Sequence, residues 1–102
     1  MDFFTPEIKD IPLQLEKNRQ QVAEFLCGLG LELLPLDYYA GIFDSETLVA
    51  GGGFEKNVIK CVAAHPDYQG FALTNIVISH LMSLLRMRGH HNVFLFTKPQ
   101  NE

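Results

Sequence analysis

Positive charge is scarce in this chain. Of its 102 residues eight are Lys or Arg, against twelve Asp or Glu, giving a formal charge of −4. The eight cations form no cluster, so the counterion release that drives binding to a phosphate backbone has no source and no nucleic-acid partner is expected. No apolar run approaches the ~20 residues of a membrane span, so a soluble chain with no membrane partner is expected. The N-terminus, Met1-Asp2-Phe3-Phe4, lacks the basic segment and apolar stretch of a secretion signal. Cysteine is sparse too. Cys27 and Cys61 are far apart and, without an export signal, read as reduced thiols of a cytoplasmic protein. His65, His80, His90 and His91 include no i, i+4 pair and have no Cys-x-x-Cys beside them, so no metal site is expected. His80 reads instead as a hydrogen-bonded core residue, and His90-His91 as an exposed turn. Low-complexity tracts are also missing. A composition 47% hydrophobic and 11% aromatic at this length suits one small globular domain over residues 1–102.

The apolar pattern then divides the chain. Residues 1–11 are mixed and read as a mobile or edge segment. Pro12 suits the first turn of a helix, and residues 13–28 follow, with Leu15, Val22, Phe25, Leu26 and Leu29 on one side. Gly28 and Gly30 are placed to end it. Residues 38–43 and 48–50 flank the turn Asp44-Ser45-Glu46-Thr47 and predict a β-hairpin, prolonged by Gly51, Gly52 and Gly53. Three glycines in a strand signal a bulge or the close approach of another group. Residues 58–64 predict a strand buried on both faces, stopped by His65-Pro66. Residues 73–88 carry Leu73, Ile76, Val77, His80, Leu81, Leu84, Leu85 and Arg88 on one helical face, with Gly89 as the stop. Residues 92–97 predict a final strand, so residues 58–97 form a crossover unit in a mixed α/β sheet. That strand ought to be central, and with no later strand beside it an exposed edge there invites self-association.

The chemistry lies where the 58–64 strand meets the next helix: V-A-A-H-P-D-Y-Q-G-F-A-L-T, residues 62–74. A strand end, a loop of small residues and a helix N-terminus together present main-chain N–H groups and the positive end of a dipole, which suits an anion. A tight connection kept small for packing fits the same spacing. Cys61 lies in a buried-looking strand and reads as packing rather than a nucleophile. Glu55 and Asp67 flank that strand as general-base candidates, but solvated loop carboxylates fit as well, so no catalytic residue is assigned.

This segment resembles the acyl-CoA-binding segment of the GNAT acetyltransferases, whose pattern is Q or R, two residues, G, one residue, then G or A. Gln69 matches the first position, Ala72 stands at the first Gly, Thr74 at the last position, and Gly70 at a position that is often Gly. A more specific likeness covers most of the chain. Asp37-Tyr38-Tyr39, L-V-A-G-G at 48–52, N-V-I-K-C-V-A at 57–63 and L-F-T-K-P at 95–99 resemble the N-terminal GNAT-like region of the citrate lyase ligases. The resemblance implies a GNAT-like mixed sheet flanked by helices, truncated at its C-terminal side, with the parent's nucleotidyltransferase domain absent. His90-His91 does not supply the H-x-G-H motif of that domain.

What the family does sets the remaining expectations. Its reaction uses ATP and acetate to acetylate the thiol of a dephospho-CoA-derived group on the citrate lyase acyl carrier subunit, with ATP bound in the absent domain. The resemblance implies that CoA, acetyl-CoA or such a prosthetic arm lies along the main chain of Val62, Ala63 and Ala64. Its diphosphate would meet the amides of Gln69, Gly70, Phe71, Ala72, Leu73 and Thr74, and Asn101 aligns with a cofactor-contacting Asn. The acyl carrier subunit is the implied partner. Two other functions compete: a self-sufficient N-acetyltransferase acting on a small amine, and a non-catalytic domain that docks a carrier protein.

Overall fold

The computed structural model describes residues 5–96, apart from the side chains of residues 69–71. Thr97, Lys98, Pro99 and Asn101 lie outside that range. Strand β2 (Tyr38–Asp44) and strand β3 (Thr47–Glu55) form the hairpin read from the sequence, and β4 (Val58–Ala64) follows across a second tight turn. Both turns are two residues long, and their first residues, Ser45 and Lys56, have φ of 59° and 57°. Left-handed residues there match the twist of the joined strands. A short β1 (Ile8–Asp10) pairs antiparallel with β2 and makes the N-terminal segment an edge strand.

Helix α1 (Glu16–Gly28) starts later than the sequence suggested. The Ile11 amide still bonds the Tyr39 carbonyl at 2.9 Å, so the chain stays extended through Pro12, which lies outside the helix. Leu15 is the extended N-cap and is 56% exposed, off the apolar face assigned to it. Val22 and Leu26 are fully buried, as that face requires. Helix α2 (Leu73–Met87) matches its expectation closely: Leu73, Val77, Leu81 and Leu85, four apart each time, form its buried stripe. Gly89, at φ +90°, follows its end.

The sheet order is β1-β2-β3-β4-β5, with β5 (Phe94–Leu95) parallel to β4 and α2 as the crossover between them. The helices take opposite faces. Ile42, Val49, Phe54 and Ile59 pack with the α2 stripe, while Tyr39, Leu48, Cys61 and Ala63 pack with Val22 and Leu26 of α1. Two expectations change here. Strand β4 alternates buried and half-buried residues instead of being covered on both faces, and β5 is two residues long within the 92–97 read as a strand, with Phe94 and Leu95 exposed as an edge there requires.

The glycine run does both things that its pattern announced. A bulge lies between Gly51 and Gly53, where β4 holds an extra residue. A Cβ on Gly52 would sit 2.9 Å from Val62 and Val77, so its bare backbone lets α2 lie close on the sheet.

Candidate cofactor-binding site

Cys61 is the left-handed residue of the β4 bulge, with φ of 59°. Regular alternation would put Ile59, Cys61 and Ala63 on one face. The bulge instead leaves Ile59, Val62 and Ala64 against the α2 cluster and turns Cys61 and Ala63 toward α1. Below the bulge β4 is paired on both sides, since Phe94 N–H donates to Asn57 O at 3.0 Å and Phe96 N–H to Ile59 O at 2.8 Å. Beyond Ile59, among the described residues, no strand pairs with the β5 side of β4. Among the described residues, the main chain of the last β4 residues therefore has no strand partner along that edge.

That edge runs directly into the helix junction. His65 N–H donates to Val49 O at 2.7 Å, holding the strand end, and Tyr68 N–H closes a turn on His65 O at 2.9 Å. The Tyr68 hydroxyl donates to the Asp44 carboxylate at the hairpin tip, a bond that pushes the phenol's pKa up. The turn Pro66–Phe71 is 3-10 but is broken by a kink at Tyr68, whose φ of −113° and ψ of 22° are not helical. The start of α2 adds further main-chain donors. The N-cap residue Ala72 makes no side-chain cap bond and no acidic residue lies in the first turn, so among the described residues the amides of Leu73, Thr74 and Asn75 and the positive dipole end lack a side-chain acceptor.

The structure gathers most of the expected positions at one end of the sheet. Val62 and Ala64 are half-buried and Ala63 is buried, in sequence with the 3-10 turn that holds Gln69, Gly70 and Phe71. Ala72 is exposed, while Leu73 turns its side chain into the core and offers main chain alone. Thr74 is half-buried in the first helical turn. Asn101 falls outside the described residues. Sequence reasoning did not place the bulge at Cys61, for which the facing glycines were the available signal. Ala72 has φ 53° and ψ 39°, a left-handed conformation costing an L-residue roughly 1–2 kcal/mol. That conformation is a physical reason for glycine at this position of the GNAT pattern.

The groups capable of covalent or proton chemistry are held quiet. Cys61 Sγ accepts from Leu34 N–H at 3.5 Å and faces Glu32 O at 3.7 Å, and burial pushes its pKa up, so it stays a thiol. Glu55 is paired to Lys60 at 2.6 Å, and Asp67 is exposed beside His65. His80 meets the Tyr38 hydroxyl at 3.0 Å, as a hydrogen-bonded histidine should. Among the described residues no cluster of His, Cys, Asp and Glu can hold a metal, and no helix is long and apolar enough to cross a membrane. A cleft of about 510 Å³ lies at the opposite end of the sheet, lined in part by Asp10, Leu13, Asp37 and Tyr38. Tyr38 also donates to Asp10, and burial with that bond raises its pKa.

No family model matches the chain. Three curated proteins do, each a [citrate [pro-3S]-lyase] ligase. The Klebsiella pneumoniae protein is 39% identical over 55% of this chain and 16% of its own length. The Escherichia coli protein is 29% identical over 84% of this chain and 25% of its own. The Haemophilus influenzae protein is 32% identical over 83% and 26%. The chain thus spans about a quarter of the relatives it matches, or less. Among solved structures, a Trypanosoma brucei acetyltransferase superposes with TM-score 0.67 and 18% identity, over 92% of this chain and 84% of the other. A probable acetyltransferase from meticillin-resistant Staphylococcus aureus gives 0.65 and 16%, over 89% and 77%. The mixed sheet with its two helices is a GNAT-like fold, and the likeness to citrate lyase ligases extends over most of the chain.

Proposed function

We propose that this chain, a GNAT-like domain similar in sequence to the citrate lyase ligases, binds a CoA-type pantetheine arm. The arm lies along the released edge of β4 at Val62–Ala64, completing main-chain bonds that β5 does not make. Its diphosphate sits on the amides of Leu73, Thr74 and Asn75. One observation carries this reading: among the described residues β4 has no β5-side partner beyond Ile59, and the next helix in the chain begins without a side-chain cap from Ala72 at the end of that same edge. Gly70, in the turn before α2, adds no side chain of its own there.

In the parent enzyme the arm is the dephospho-CoA-type group of the citrate lyase acyl carrier subunit, and ATP and acetate are handled elsewhere in the longer chain. This domain recognises and positions, and none of its own side chains is assigned to the chemistry. Two free thiols accord with a cytoplasmic setting.

Titration calorimetry with dephospho-CoA, CoA and acetyl-CoA tests the reading. The expected result is binding of dephospho-CoA that Gly70→Val weakens at least tenfold without changing the unfolding midpoint. Turnover of acetyl-CoA with an amine panel would replace it with the N-acetyltransferase. Absence of binding to all three would replace it with the non-catalytic interaction domain.

A further inference from the structure

One hydroxyl, that of Tyr38, joins three elements of the fold. It donates to the Asp10 carboxylate at the end of β1 and meets His80 Nε2 of α2 at 3.0 Å. With its proton spent on Asp10, its oxygen is left as an acceptor, so His80 is the donor. The donors therefore run one way, from His80 through Tyr38 to Asp10. Asp10 is exposed and both rings are half-buried, so the carboxylate end of the chain meets solvent. From β3 the uncharged Phe54 ring stacks on Tyr38 at 5.2 Å, and from α2 the further charge bearing on Tyr38 is Arg88, 5.0 Å over that Phe54 ring.

Each of the two contacts needs one proton between its heavy atoms. With Asp10 ionised and Tyr38 neutral both contacts are filled, whether His80 is neutral or charged. Acid that protonates both Asp10 and His80 aims a donor at Tyr38 from each end and leaves its own O–H without an acceptor. We propose that this chain is a pH-sensitive latch, which fastens the edge strand β1 to α2 when closed and lets β1 lift from β2 when both of its ends are protonated. The strand is short enough for one bond to matter. Three residues pair with β2, and Ile11 N–H on Tyr39 O at 2.9 Å extends the ladder. Residues 10–14 also form one wall of the cleft of about 510 Å³ and residues 36–39 the other, so the latch governs how wide that cleft stands. Burial and the bond to Asp10 raise the pKa of Tyr38, which keeps the hydroxyl protonated at the alkaline side. The latch does not depend on the binding of CoA.

Amide hydrogen exchange at Ile11 reads the latch directly. Tyr38→Phe keeps the stacked ring and should lower the protection factor of Ile11 about fivefold, the worth of one hydrogen bond, while the Val77 and Leu81 amides of α2 stay unchanged. Wild-type protection at Ile11 should hold between about pH 6 and pH 8 and fall on further acidification. Asp10→Asn keeps an acceptor oxygen that takes up no proton, and should abolish that fall. The ¹⁵N shifts of the neutral His80 ring should report the Nε2–H tautomer. Indifference of Ile11 to Tyr38→Phe, an acid loss that persists in Asp10→Asn, or the Nδ1–H tautomer would overturn the inference.

Discussion

Val58 and Ile59 share a strand with Ala63 and Ala64, yet among the described residues the first pair is bonded to strands on both sides and the second pair to β3 alone. One left-handed residue, Cys61, separates the two regimes. Below it β4 belongs to the core, with Ile59 1% exposed between Phe54 and Leu95. Above it the strand holds its place through β3 and, among the described residues, has no partner on the other edge. On the proposed binding, stability and recognition are divided within seven residues, and substitutions in the two halves should fail in different assays.

The largest expected effect is in the lower half. Ile59→Ala removes a buried side chain and should cost about 2–5 kcal/mol, read as a lower urea midpoint. Val62→Ala, half-buried above the bulge, should cost less than half as much. Equal losses would erase the distinction. Next is the bulge. Gly52→Val forces a side chain against Val62 and Val77 and should cost about 1–3 kcal/mol. It should also weaken dephospho-CoA binding, because the β4 edge shifts. A destabilised variant with unchanged affinity would detach the bulge from the site.

Ala72→Gly is a smaller change and acts on recognition. Relief of the left-handed strain offsets the entropy cost of a new glycine, so the unfolding midpoint should move little. Dephospho-CoA affinity should rise severalfold, as one methyl leaves the proposed diphosphate site at the start of α2. The smallest effect is in pH. Burial raises the Cys61 thiol above its ordinary 9.0. The unfolded chain therefore ionises first, and stability should fall as pH rises from about 8.5 toward the folded value. Cys61→Ala should flatten the urea midpoint between pH 8 and 10, and an unchanged slope would assign the loss to other groups.

These contrasts also mark what the sequence made legible. Residues 58–64 and 73–88 were readable because apolar spacing over a strand or a four-turn helix leaves few alternatives. The hairpin was readable from Asp44-Ser45-Glu46-Thr47. The bulge was not, since V-I-K-C-V-A-A reads as continuous strand and its break depends on Gly51, Gly52 and Gly53 across the ladder. Pro12 misled for a similar reason. Its φ suits a helix, but the bond from Ile11 to Tyr39 extends the ladder past it, and Asn18 Nδ2 donates to Pro12 O at 3.0 Å. Residues 62–74 were readable as the place where a strand end meets a helix N-terminus. The kink at Tyr68 inside the 3-10 turn was not, because no residue there announces it.

Amide chemical shifts in ¹⁵N-labelled chain, followed while dephospho-CoA is added, probe the released edge residue by residue. The shifts should move at Val62, Ala63 and Ala64 and at Leu73, Thr74 and Asn75, and stay still at Ile8, Lys9 and Asp10. Movement confined to Asp10, Asp37 and Tyr38 around the opposite cleft, with residues 62–75 unchanged, would contradict the account.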